Sequence, residues 1–447
     1  MRRPSPQPPP DPPLEAVIER LGVAGADSER RRQVATDAAY AGGLSLGELR
    51  VLRQAGLIPY SPDSYDPDGD PGSWEPPRHV AGAADGDRRL RPITSVTEIE
   101  LASPQRYTFA VMGETRPTVP RMPFSRISQT IFEELALLRP AFVLCTGDII
   151  WGFDTTREEM RAELDGFRAL ADRAGVPLFN VPGNHEVQSR PQALELLEQW
   201  GHDLHGSFDA GPYHFIALNT EELDHEGRVT GSQLEWLESD LAASRDAEAI
   251  FVFMHRPLFS WFQGDFNPDD SIVLQKLFSG HGVRAVFSAH DHFFYEEVHD
   301  RVRYITVGGG GAPAYAQPQS GGFAHYLLVT VEPGRVDIDV VEPNRIEVAY
   351  ELGNDGVATR ARARVANTTD RDLVARNLEF RMPYGGPGQE YELIVDFVDF
   401  ARTRVEHPAR VREVADLRDG RAAVAVEVAM PTGSGLWVTV EAQPLPG

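Results

Sequence analysis

The chain has 447 residues, 41% of them hydrophobic, and a formal net charge of −24. That length accommodates two or three domains. No apolar run approaches the ~18 residues of a membrane span, and the negative excess disfavours general nucleic-acid binding, because phosphate backbones would be repelled. Cys145 is the only cysteine, so an internal disulfide is excluded. The paired arginines Arg2 and Arg3 are not followed by an apolar segment. As written the chain is therefore expected to be cytoplasmic, and exported only if the true start lies upstream.

Residues 1–13 are proline-rich and predict a disordered tail. Leu14, Val17, Ile18 and Leu21, and then Leu44, Leu49, Leu52 and Leu57, fall at helical spacing, which predicts a small helical pair leading into an irregular linker that ends near residue 104. Within that linker, Asp66–Gly72 alternates acids as a calcium loop does. The glycine and glutamate such a loop needs are Pro71 and Pro77, so a solvated acidic turn is the better reading.

From residue 105 to 345 strand-like runs alternate with helical patterns. The predicted strands are Tyr107–Met112, Ala141–Cys145, Val176–Val181, Tyr213–Leu218, Ala249–Met254, Arg284–Ser288, Val302–Val307 and Tyr326–Val331. Helices are predicted over Ser125–Leu138, after a capping box at Thr155–Glu158, and over Gln233–Leu241. Such alternation means an α/β core with ligands bound beyond the carboxyl ends of its strands. From residue 346 to 447 the period is that of strands alone, predicting a small antiparallel β domain. There the alternating Arg360, Arg362 and Arg364 read as a solvated strand face.

Each of five strand-like runs ends on polar residues: Gly113–Arg116, Gly147–Trp151, Gly183–Glu186, His255–Pro257 and Ala289–His292. Any one of them has a bland reading as a turn or a hydrogen-bonded histidine. Five in succession point to a shared site, because site residues gather on strand-end loops. Carboxylate, amide and imidazole ligands without thiolate suit Mn, Fe or Zn, and a carboxylate bridging two such ions suits a metal-assisted hydrolase.

The series Gly147-Asp148, Gly183-Asn-His-Glu186, His255 and His290-Asp-His292 resembles the calcineurin-like metallophosphoesterase superfamily from about residue 107 to 341. Gly206–Asp209, Leu218–Glu221, Gln233–Leu237 and the glycines 308–311 are similar to its connecting segments. The resemblance implies a β-sandwich flanked by helices, and a metal-dependent hydrolase of phosphomonoesters or phosphodiesters that uses a metal-activated hydroxide on a small phosphate-ester substrate. It implies that Asp148 bridges two metals, that Asn184, His255 and His290 complete the second metal site, and that His292 ligates the first. By the same resemblance His185 stabilises the transition state or protonates the leaving group, while Glu186 holds its tautomer.

Three departures accompany it. Where the family has Asp-x-His in its first motif, this chain has Glu114-Thr-Arg116. Glutamate still ligates, from a displaced position, whereas arginine stays protonated and does not; Arg116 is then expected to clamp a substrate phosphate. Ala289 replaces a usual glycine, and Trp151 stands where purple acid phosphatases carry a ligating tyrosine. The first departure motivates an alternative, a catalytically weakened or dead binding module of the same fold with one metal. Substrate specificity is expected from residues 151–154, Tyr213 and His214, 259–270 and 310–321. Trp261, Phe262 and Phe266 read as packing under a loop in preference to an aromatic wall.

Overall fold

A computed structural model describes residues 12–27, 30, 31, 34, 35, 51, 52, 55, 57 and 89–445, except 102, 120–121, 154, 188–189, 224, 261, 263–265, 385–390 and 402–407. The acidic turn at 66–72, the proline-rich start and most of the second predicted helix lie outside these residues.

After helix α1 (Leu14–Arg20), the strands of the α/β core follow in chain order. They are β1 (Tyr107–Met112), β2 (Val143–Cys145), β3 (Leu178–Asn180), β4 (Gly206–Ala210), β5 (Tyr213–Leu218), β6 (Ala249–Met254), β7 (Val283–Ser288), β8 (Phe294–His299), β9 (Val302–Val307), β10 (Tyr326–Glu332) and β11 (Arg335–Val341). They make two sheets, ordered β11-β10-β1-β2-β3 and β4-β5-β6-β7-β9-β8. β1, β2 and β3 are parallel, as are β5, β6, β7 and β9, so their carboxyl ends gather along one edge. The two sheets face each other across an aromatic core, in which Phe109 meets Phe142, Phe215, Phe251 and Phe287 at 5.2–6.3 Å. Both faces of β1, β2, β3, β5 and β6 are buried, which is why they read as unbroken apolar runs with no alternation.

Helices cover the outer faces. α2 (Arg126–Leu138) starts at Ser125, whose side chain accepts from the Ser128 N–H, and stops at Arg139 in a left-handed conformation ahead of Pro140. In α3 (Arg157–Ala171) the capping box is formed by Thr156 and Glu159, one residue later than predicted, because the Thr155 hydroxyl turns back to the Gly152 carbonyl. With α5 (Pro191–Trp200), which follows the one-turn α4 (Asn184–Val187), these helices pack on the β1–β3 sheet. α6 (Gly231–Ala243) and α7 (Pro268–Gly280) cover the other sheet. α5 and α7 were not predicted. Each opens on a proline, and the buried stripe of α7 begins with Ser271, which weakens its apolar period.

Beyond β11 come β12 (Ile346–Leu352), β13 (Arg360–Asn367), β14 (Leu373–Pro383), β15 (Tyr391–Asp399), β16 (Ala409–Asp416), β17 (Arg421–Met430) and β18 (Gly435–Pro444), in sheets ordered β12-β13-β18-β15 and β14-β17-β16. This all-β unit is not separated from the core. Phe132 and Leu135 of α2 share one buried cluster with Leu378, Phe380, Val424 and Val438, and Asn377 donates to the Ala136 carbonyl at 3.2 Å. Arg362 lies over Trp437 and bonds Glu351, and Arg364 lies over Phe400 and bonds Glu347, as a solvated strand face would.

Tyr213 and His214 stand at the amino end of β5, about 13–17 Å from its carboxyl end, so they do not border the site. His214 is instead clamped between Asp209 at 2.6 Å and Asp240 at 2.9 Å. Burial lowers its pKa, but the bonds to Asp240 and Asp209 outweigh burial and raise it.

Two outcomes are expected. Calorimetry should show one cooperative transition for the core and the β unit, because they share a core; two separate transitions would contradict this. For His214→Gln, the stability lost should be largest below about pH 6.5, the unfolded value. It should shrink as pH rises through the raised folded pKa, where the wild-type imidazolium loses its proton. Denaturant titrations at several pH values check this.

Candidate metal centre

The strand-end loops are cross-linked before any side chain is considered. The N–H of Glu114 donates to the Gly147 carbonyl, that of Arg116 to Asp148, and that of Ala289 to His255. Glu114, Asp148 and His290 all have positive φ, at 58°, 55° and 65°. For residues with a Cβ this is strain that surrounding structure must hold, and it gathers at functional sites. Ala289 is absent from that set, so its replacement of glycine carries no conformational penalty.

Glu186 supplies much of the holding. Its buried carboxylate accepts four backbone N–H bonds, from Gly183 and Asp148 at 2.7 and 2.8 Å and from Ile149 and Ile150 at 2.9 and 3.2 Å. Burial raises its pKa, to about 7, against the pull of those donors. Since each oxygen already accepts two N–H bonds, the carboxylate is the form that fits. The expectation that Glu186 holds the His185 tautomer is corrected: the Trp151 carbonyl takes the His185 Nδ1–H, because the carboxylate is turned toward the loop backbone. Gly183 must be glycine for the same packing reason, since a Cβ there would lie 2.1 Å from Asp148 Oδ1.

Around this frame the predicted ligands converge. His255 donates Nδ1–H to the Thr146 carbonyl at 2.9 Å, which leaves the lone pair on Nε2. That Nε2 is 2.9 Å from Asn184 Oδ1, 3.2 Å from His290 Nδ1 and 3.4 Å from Asp148 Oδ1, and His290 Nδ1 is 3.0 Å from Asn184 Oδ1. Ligands about 2.1 Å from one ion lie about 3.0–3.4 Å apart. Four donor atoms at this spacing, with acceptor facing acceptor, fit a cation. Burial pushes His255 down to about 4, keeping it neutral as a ligand must be.

A second group adjoins the first through Asp148. Ligand atoms of Glu114, Asp148 and His292 all lie within 4.8 Å of one another, and all three residues are buried. His292 donates Nδ1–H to the Pro313 carbonyl at 2.7 Å, and its Nε2 is 2.9 Å from Glu114 Oε2. Burial alone raises the Glu114 carboxyl, but His292, His255 and Arg116 outweigh it and hold it at about 2. Arg116 is almost wholly buried, its Nε 3.8 Å from Asp148 Oδ2 and 4.0 Å from Glu114 Oε2, its guanidinium 5.2 Å from the Trp151 ring. His185 Nε2 lies 3.8 Å from Asp148 Oδ2, and its ring packs between Phe153 and Trp151. Phe262 and Phe266 are buried. Sequence reasoning missed the tautomer-setting carbonyls of Thr146, Trp151 and Pro313, which carry no side-chain signature.

Residues 124–294 match the calcineurin-like phosphoesterase family. That segment is similar to a calcineurin-like phosphoesterase domain. The matched residues include Asp148, Asn184–Glu186, His255 and His290–His292, whereas Glu114 and Arg116 precede them. Metal-dependent phosphoester hydrolysis is the class of chemistry this supports. Similar solved structures include a dimetal phosphatase from Danio rerio, with 19% identity over 53% of this chain and 97% of that one and a TM-score of 0.44. Another is GAP50, the anchor in the inner membrane complex of Plasmodium, at 14% identity over 54% and 85% with a TM-score of 0.41. A third is a putative 5′-nucleotidase from Staphylococcus aureus in complex with alpha-ketoglutarate, at 15% identity over 54% and 55% with a TM-score of 0.34. No curated protein matches the chain.

Glu186→Gln should lower stability by roughly 1–3 kcal/mol for each N–H it leaves facing the new amide, as measured by denaturant unfolding. If Glu186 served only to orient His185, stability would be unchanged.

Proposed function

We propose that the chain hydrolyses phosphomonoesters or phosphodiesters with bound Mn, Fe or Zn. The observation that carries this reading is one carboxylate, Asp148, placed between two adjoining groups of metal-ligating atoms. Asp148, Asn184, His255 and His290 would hold one ion, and Glu114, Asp148 and His292 another. Bound metal supplies Lewis-acid polarisation of a phosphoryl oxygen and lowers the pKa of water.

The other roles fall to this chain's own groups. His185, with Nδ1–H committed to Trp151, has only Nε2 to exchange a proton with the leaving oxygen or to stabilise charge on the phosphoryl group. Glu186 contributes as the strut of the loops that carry Asp148 and His185. Arg116 brings a fixed positive charge beside the phosphoryl position, with Nε already turned to the two carboxylates.

Hydrolysis of para-nitrophenyl phosphate and of its bis-ester by the metal-loaded protein tests the reading. Asp148→Asn and His185→Ala should each lower the rate by about 10²–10⁴-fold, Asp148→Asn with loss of bound metal and His185→Ala without it. Absence of metal uptake would overturn the proposal.

The position of Arg116 favours a second reading, a weakened module holding one ion, because its charge already offsets the carboxylates of the Glu114 group. Elemental analysis separates the two. One metal per chain that rises toward two in Arg116→Ala, with no ester hydrolysed by the wild type, supports the second reading.

A further inference from the structure

The N-terminal extension is generally apolar where it is described. Val17, Ala35 and Leu52 are buried, each no more than 1% exposed, in a cluster with Phe262, Phe293, Tyr315 and Ala316. Leu14, Leu21 and Leu57 pack on the same cluster. This is not a remote surface. Phe293 directly follows His292, and the Tyr315 ring lies flat on the His292 imidazole, with centroids 3.8 Å apart and planes 13° apart.

The surrounding bonds fix both segments. The Tyr315 N–H donates to the His292 carbonyl at 3.2 Å, and His292 donates to Pro313. The Ser260 hydroxyl bonds the Asp291 carboxylate, tying the loop that carries Phe262 to the same motif. His292 is therefore held at Nδ1 by one carbonyl and on a ring face by Tyr315. Tyr315 and Phe293 in turn share their apolar cluster with the extension. A metal-ligating imidazole needs its ring plane set, and groups that set it typically change metal affinity 10–100-fold when removed.

We propose that the N-terminal extension is a positioning element of the metal centre: by packing on Phe262, Phe293 and Tyr315 it holds Tyr315 against His292 and so sets metal affinity on the Glu114–His292 side. Tyr315 is the positioning residue and the extension is its support. The inference rests on the metal-binding reading above.

Titration of the full chain with Mn²⁺, followed by calorimetry, tests it. Glu114→Gln first marks which binding step belongs to the His292 side. Leu52→Asp, which places a charge in the cluster, and Tyr315→Leu, which removes the stacked ring while keeping an apolar residue, should each weaken that step by about tenfold or more. Both should leave the other step within about twofold, and Tyr315→Phe should restore the affected one. If Leu52→Asp does not fold, Tyr315→Leu and Tyr315→Phe carry the test alone. An unchanged step in Tyr315→Leu, or equal weakening of both steps, overturns the inference. A wild-type chain that takes up no Mn²⁺ overturns the underlying metal reading instead.

Discussion

Four backbone N–H groups converge on the buried carboxylate of Glu186, and they come from two different strand-end loops. The rest of the site depends on this bond set. It holds residues 148–150 against Gly183, which places Asp148 Oδ1 where the His185 N–H reaches it at 3.1 Å, and it keeps Asp148 in a backbone conformation that costs on the order of 1–3 kcal/mol. A buried carboxylate with incomplete bonding would be a liability of several kcal/mol. With both oxygens doubly bonded it becomes a rigid joint.

Arg116 sits in a different balance. At about 4 Å and an effective dielectric near 20, each charge pair is worth about 4 kcal/mol, while removing each ion from water costs several kcal/mol. Gain and cost are of the same order, so the cluster of Arg116, Asp148 and Glu114 is not a device for stability. Its sense is electrostatic: the buried side chains of Glu114, Asp148 and His292 carry two negative charges, and one fixed cation is built in beside them.

The parts of this account that could be read in the sequence share a cause. Strands buried on both faces produce unbroken apolar runs, so β1, β5, β6 and β9 were found at their true bounds. The candidate ligands stood just beyond β1, β2, β3, β6 and β7 in recognisable order. What could not be read was bonding through the backbone. The carbonyls of Thr146, Trp151 and Pro313 set histidine tautomers, and the N–H groups that engage Glu186 have no residue type to announce them, so Glu186 was assigned to the wrong partner. The capping box slipped by one residue because two threonines in succession offer the same hydroxyl. The sequence period changes at residue 346, and the packing across that junction could not be read from it: the buried side chains of α2 run on into those of β14 and β17.

A sandwich with its parallel strand ends on one edge brings together two adjoining groups of buried side-chain donors that we propose hold metal, a glutamate strut holds their loops, and an N-terminal segment packs in the apolar cluster of Tyr315, which stacks on His292. The central claim is that these atoms hold metal. Anomalous diffraction at the metal edge, from crystals grown with Mn²⁺ or Zn²⁺, tests it most directly. The account predicts a peak enclosed by Asp148, Asn184, His255 and His290. Crystals that show no peak there, or a peak bound only elsewhere on the chain, would contradict it.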